Sequence, residues 1–90
     1  MKLKTPIIGG VAVSLQGRDK GCFYLIIKVE NGFAYLCNGK EKPLNSLKRK
    51  NVKHLSLLPA VEKEIAERLA NGKKVYDYEI ATVLKKYRKP

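Results

Sequence analysis

Asn31-Gly32 lies between two runs of β-forming residues, and no other feature restricts the fold of this chain as tightly. Asn-Gly readily takes positive φ at both positions, as a type I′ hairpin turn requires. Residues 22–29 before it and 33–37 after it are rich in β-branched and aromatic side chains, the composition of strands. With Asn31 and Gly32 as the loop, Glu30 faces Phe33, Ile27 faces Leu36 and Ile26 faces Cys37. Cys22 then falls opposite Glu41, which keeps Cys22 and Cys37 beyond disulfide reach. This register puts Phe23, Leu25, Ile27, Val29, Ala34 and Leu36 on one face as the core. Tyr24, Ile26, Lys28, Tyr35 and Cys37 share the other face, which is too apolar to be left in water and needs a cover.

More strands flank the hairpin. Val11 and Val13 alternate with Ala12 and Ser14, and Gln16-Gly17-Arg18-Asp19-Lys20-Gly21 forms a polar, glycine-bounded turn. Asn38-Gly39 marks a second tight turn, leading into a short strand over residues 40–44. A last strand is expected over residues 53–57, where His54 and Ser56 alternate with Leu55 and Leu57. Short strands at this spacing predict a small antiparallel barrel.

From residue 59 the period changes. Pro59 suits the first position of a helix, and Glu62 and Glu64 fall in its first turns, where negative charge is favoured. Val61, Ile65 and Leu69 recur every four residues, and Asn71-Gly72 is a natural stop. Asp77 is placed to cap a second helix running through Ile80, Val83, Leu84 and Tyr87. These helices are the expected cover. The fold class is therefore mainly β with C-terminal helices, a barrel over residues 1–58 and a helical hairpin over residues 59–90 packed on it. A chain of 90 residues makes these parts of one domain.

Nineteen Lys/Arg against eight Asp/Glu give a net charge of +11, which draws the chain to polyanions. Two cysteines and one histidine are too few for a closed zinc site, and reduced cysteines in the cytoplasm are expected. No P-loop, dinucleotide glycine pattern or Ser-His-Asp set is present, so neither an enzyme nor a cofactor is expected. Glu62, Glu64 and Glu67 read as a helix surface pairing with Lys63 and Arg68 rather than as acid–base groups. Lys2 and Lys4 followed by residues 7–15 imitate an export signal, but Gly9, Gly10 and Ser14 interrupt the apolar run and the segment alternates like a strand. No stretch approaches the ~18 apolar residues of a membrane span, and no membrane partner is expected.

The largest local excess of charge lies in residues 38–58, with six Lys/Arg against Glu41 alone. Residues 10–21, alternating apolar positions followed by the glycine-bounded turn, resemble a KOW motif. Gly17-Arg18-Asp19-Lys20-Gly21, Asn38-Gly39-Lys40, and Lys48-Arg49-Lys50-Asn51 with Lys53-His54-Leu55 resemble, in that order, the small bacterial KOW-domain RNA-binding proteins. These are similar in turn to KOW-containing ribosomal proteins of the archaeal and eukaryotic large subunit. Leu47 stands where the family often has proline, and Cys22 where a basic residue is common. The resemblance implies an SH3-like barrel that binds structured RNA, ribosomal RNA foremost.

On this reading Arg18, Lys20, Lys40 and Lys42 contact phosphates, and Lys48, Arg49, Lys50 and Lys53 extend the same basic rim. Arg18 has a second possible role, pairing with adjacent Asp19 to hold the turn. His54 is placed to stack or to donate to a phosphate, or simply ends a strand. No aromatic platform projects among these cations in the sequence, so shape and backbone recognition should dominate over base stacking. The alternative is a protein-interaction adaptor of the translation or transcription machinery, whose apolar helical stripes engage a protein partner.

Overall fold

The Asn31-Gly32 turn forms with φ of 50° at Asn31 and 81° at Gly32. It joins β2 (Phe23–Glu30) to β3 (Phe33–Cys37). The computed structural model describes residues 5–88; Lys2, Lys4, Lys89 and Pro90, and with them the outer ends of the two expected segments, lie outside the described residues. The remaining elements are β1 (Gly10–Ser14), β4 (Lys48–Asn51), β5 (Leu55–Val61), α1 (Lys63–Ala70) and α2 (Asp77–Leu84).

Near the turn the hairpin keeps the expected register, pairing Glu30 with Phe33, Val29 with Ala34 and Lys28 with Tyr35. A bulge then leaves Ile27 unpaired, and the partners become Ile26 with Leu36 and Leu25 with Cys37. One extra residue exchanges the two faces of a strand. Tyr24 and Ile26 thus turn inward beside Ala34 and Leu36, whereas Leu25 points outward with Cys37. The expected faces of residues 23–26 are reversed, and Val29, expected in the core, is exposed.

The sheet is five-stranded and antiparallel, in the order β4-β3-β2-β1-β5. Its edge strands β4 and β5 are nevertheless joined by a single 3-10 turn, Val52–His54, capped by the Asn51 side chain. So short a link forces the sheet to curl until its two edges approach. Ala12, Tyr24, Ile26, Ala34, Leu36, Leu55 and Leu57 fill the space it encloses.

Three expected elements move. Residues 40–44 form no strand, because the Asn38 carboxamide oxygen accepts the Lys40 and Lys42 backbone N–H groups, each at 2.9 Å, and Pro43 has none to offer. The fourth strand is instead the basic run itself. Pro59 does not start a helix but lies within β5, which therefore runs beyond residue 58 to Val61. It sits where the β1–β5 register shifts, on an edge strand, and both are places where a missing donor is tolerated.

The helices cover the outer face of the sheet. Ile65 of α1 and Ile80 and Leu84 of α2 bury themselves with Val75 against Val11, Leu25 and Cys37. They run antiparallel: Arg68 near the end of α1 binds Glu79 near the start of α2 at 2.9 Å, while Glu62 before α1 binds Tyr87 and Lys86 after α2. Of the three acids expected to pair with Lys63 and Arg68 along one helix, Glu62 instead pairs across to Lys86, Glu64 and Glu67 form no ion pair among the described residues, and Arg68 takes Glu79. Tyr76, not Asp77, is the N-cap of α2, and its backbone N–H donates to Glu79. Asp77 points to the loop before β4, where Oδ1 accepts the Leu44 N–H at 2.7 Å and lies 3.7 Å from Cys37 Sγ. Gly39, at φ 79°, lies directly under this first turn, and a Cβ there would collide with the Asp77 carbonyl oxygen.

Candidate nucleic-acid interface

The glycine-bounded turn between β1 and β2 is organised around Asp19. Its Oδ1 accepts from Ser14 Oγ and from Lys50 Nζ, each at 2.9 Å, and its Oδ2 accepts from Tyr24 Oη at 2.8 Å. Lys50 also donates to the Gln16 carbonyl at 2.8 Å, so β4 is tied to the turn twice. Burial works against charge on Asp19. The hydrogen bonds from Lys50, Tyr24 and Ser14, with the charge of Lys50, outweigh it and hold the carboxyl well below the usual carboxylate range. Burial and the neighbouring Asp19 push the Tyr24 hydroxyl upward, so it serves as a permanent donor. Asp19 is therefore anchored by Lys50, and Arg18, which forms no ion pair among the described residues, is left free of it.

Strand geometry divides the basic run. Successive side chains in a strand point to opposite faces. Lys48 and Lys50 pair with Leu36 and Ala34 and share their inward side at the mouth of the curl. Arg49 points outward, with its guanidinium 3.7 Å from the centre of the Phe33 ring. Lys50 is spent on Asp19 and keeps only 10% of its side chain exposed. Lys48 lies 3.9 Å from the same carboxylate and stays 32% exposed, able to turn toward a ligand.

A cleft of about 380 Å³ opens beside this network, between the β1–β2 turn and the loop before β4. Arg18, Lys42 and Lys48 line it, with Asp19, Glu41, Asn38, Tyr24 and the exposed Cys22. Asn38 holds Glu41 through a 3.1 Å hydrogen bond and the loop backbone through its carbonyl oxygen, so Lys42 is carried on a fixed turn. Three cations around an open hollow can hold phosphate oxygens from different directions.

The nine expected contact residues thus do not form one rim. Arg18, Lys42 and Lys48 converge on the cleft, and Lys20 and Lys40 are exposed on the flanking loops. Lys50 is structural and Arg49 lies on the opposite face of β4. Lys53 and His54 occupy the 3-10 turn outside the cleft, where the His54 carbonyl accepts the Leu15 N–H at 2.8 Å. Three outward-facing residues escape the sequence reading: Lys28 and Tyr35, cross-strand partners already in the hairpin register, and Phe33 beneath Arg49.

Among the described residues, no three His, Cys, Asp or Glu side chains come together as metal ligands do, and no helix is long and apolar enough to cross a membrane. Compared with known proteins, the chain matches no family model and no curated protein.

Proposed function

We propose that this protein binds RNA as a non-catalytic module, with an SH3-like barrel of KOW type as its scaffold. The observation that carries this reading is the convergence of Arg18, Lys42 and Lys48 on one open cleft, on a chain of net charge +11. The turn that resembles a KOW motif forms one wall of that cleft, and Asp19 holds it rigid. Cations carried on fixed turns suit the backbone of folded RNA, whose phosphates occupy fixed positions. Ribosomal RNA in the cytoplasm is the target that the resemblance favours.

The test is the salt dependence of binding to a folded ribosomal RNA fragment. Each phosphate contact contributes roughly 0.7–0.9 to the slope of log affinity against log salt. Changing Arg18, Lys42 and Lys48 together to Ala should lower affinity and flatten the slope by about 2. An unchanged slope would remove the cleft from the interface.

The adaptor reading requires free apolar stripes along the helices. Ile65, Ile80 and Leu84 are buried against the sheet, so those stripes are already occupied.

A further inference from the structure

The helices cover only part of the outer sheet face. On β3 that face carries Phe33, Tyr35 and Cys37, which alternate with the inward Ala34 and Leu36. Cys37 is fully buried beside Asp77 of α2. Phe33 and Tyr35, toward the hairpin turn, join neither core cluster of the described residues and remain partly exposed. Cations surround them. Lys28, Tyr35 and Arg49 form one row across three adjacent strands. The Lys28 ammonium lies 5.3 Å from the centre of the Tyr35 ring, and Arg49 covers Phe33. Glu30, 3.4 Å from Lys28, is the only carboxylate that pairs with these cations among the described residues.

From this arrangement we infer a second contact surface, a platform on which Phe33–Arg49 and Tyr35 stack two unpaired bases of single-stranded RNA. The inference rests on the RNA-binding reading but uses a different face from the cleft. Aromatic rings and guanidinium planes both stack on nucleobases, and neighbouring cations hold the connecting phosphates. Spacing selects the occupant. Two positions apart on a strand, the Cα atoms that carry the rings stand roughly 6.8 Å apart, about twice the 3.4 Å step between stacked bases in a duplex. Bases that reach both rings must therefore be splayed, which a duplex does not allow. The half-buried rings and fixed backbone also present the platform with little ordering cost.

The test compares two oligonucleotides of equal charge binding to the full chain: a uridine octamer, and the same ribose-phosphate chain without bases. The octamer should bind at least about fivefold more tightly, as expected for stacking of even one base. Phe33→Leu with Tyr35→Leu keeps apolar bulk and leaves Arg49 in place, and should at least halve that ratio while leaving affinity for the base-free chain and its salt slope unchanged. Arg18→Ala with Lys48→Ala should weaken both oligonucleotides and leave the ratio intact. Equal affinity of the wild type for both would overturn the platform alone, as would a ratio that survives loss of both rings. Failure to bind either oligonucleotide or the folded RNA fragment would remove the RNA-binding reading as well. Because the wild-type comparison needs no substitution, the outcome does not depend on a variant folding.

Discussion

Asp19→Asn tests the centre of the site without changing its shape. The carboxylate is 14% exposed and receives hydrogen bonds from Ser14, Tyr24 and Lys50. Asn retains one carbonyl oxygen, so the substitution removes the charge and one acceptor. Lys50, only 10% exposed, then keeps its ammonium with the Gln16 carbonyl as its remaining partner. Breaking a buried ion pair from one side costs about 3–5 kcal/mol. Asp19 borders an open cleft and water screens it in part, so about 3 kcal/mol is the appropriate figure. A domain of this size holds roughly 5–13 kcal/mol in total. At about 4–8 °C per kcal/mol, the midpoint should fall by about 12–24 °C.

Thermal unfolding followed by far-UV circular dichroism measures this, and a double-mutant cycle with Lys50→Met isolates the pair. The loss from D19N should shrink by about 1.5 kcal/mol or more once Lys50 is gone. Acid supplies an independent check. The folded carboxyl titrates below its unfolded counterpart, so its stabilisation is complete above about pH 4 and is lost as pH falls toward the depressed folded value. At pH 3 the gap between wild type and variant should be about 1 kcal/mol narrower than at pH 7. A midpoint within about 4 °C of wild type, or a coupling near zero, would refute the claim that Asp19 locks the turn to β4.

Helix docking makes two further predictions. Gly39 and Gly32 have nearly equal φ, 79° and 81°, but only Gly39 has atoms of α2 against its Cβ position. Gly32→Ala should therefore cost about 1 kcal/mol for backbone strain, and Gly39→Ala about 3 kcal/mol, with equal losses in urea titrations refuting the packing of α2 on that loop. Cys37 is buried, and burial, with the Asp77 carboxylate adding to it, pushes its thiol up to about 12, whereas Cys22 is exposed. Native protein at pH 8 should release one equivalent from a disulfide reagent quickly and the second only on unfolding; two fast thiols would mean that α2 does not cover β3.

Elements specified by neighbouring residues were readable from sequence. Asn31-Gly32 turns because both residues tolerate positive φ, and Ile65 faces the core because the apolar period around it is helical. The errors arose where distant contacts decide. Pro59 fits a helix start as well as an edge strand beside a register shift, and only its pairing partner β1 distinguishes them. The Ile27 bulge carries no local signature. It is consistent with what lies on both sides of the sheet, because it brings Leu25 and Cys37 under the helices while Tyr24 reaches inward to Asp19.

Long-range pairing is also why a count of basic residues locates no site. Residues 48–50 are one block of positive charge in the sequence, and a loop could present all three together. Folded as a strand and paired with β3, the block is divided by alternation. Asp19 then separates the inward pair, neutralising Lys50 and leaving Lys48 at the cleft. Arg49 meets an aromatic ring instead of an acid. The two faces consequently differ in chemistry. At the mouth, Arg18, Lys42 and Lys48 line an open hollow with no aromatic ring stacked on them among the described residues. On the outer face, Lys28 and Arg49 lie over the Tyr35 and Phe33 rings, an arrangement suited to the flat base we propose there. A net charge of +11 attracts polyanions from a distance. On the RNA-binding proposal, the alternation of β4 sets which part of the polyanion each face would hold.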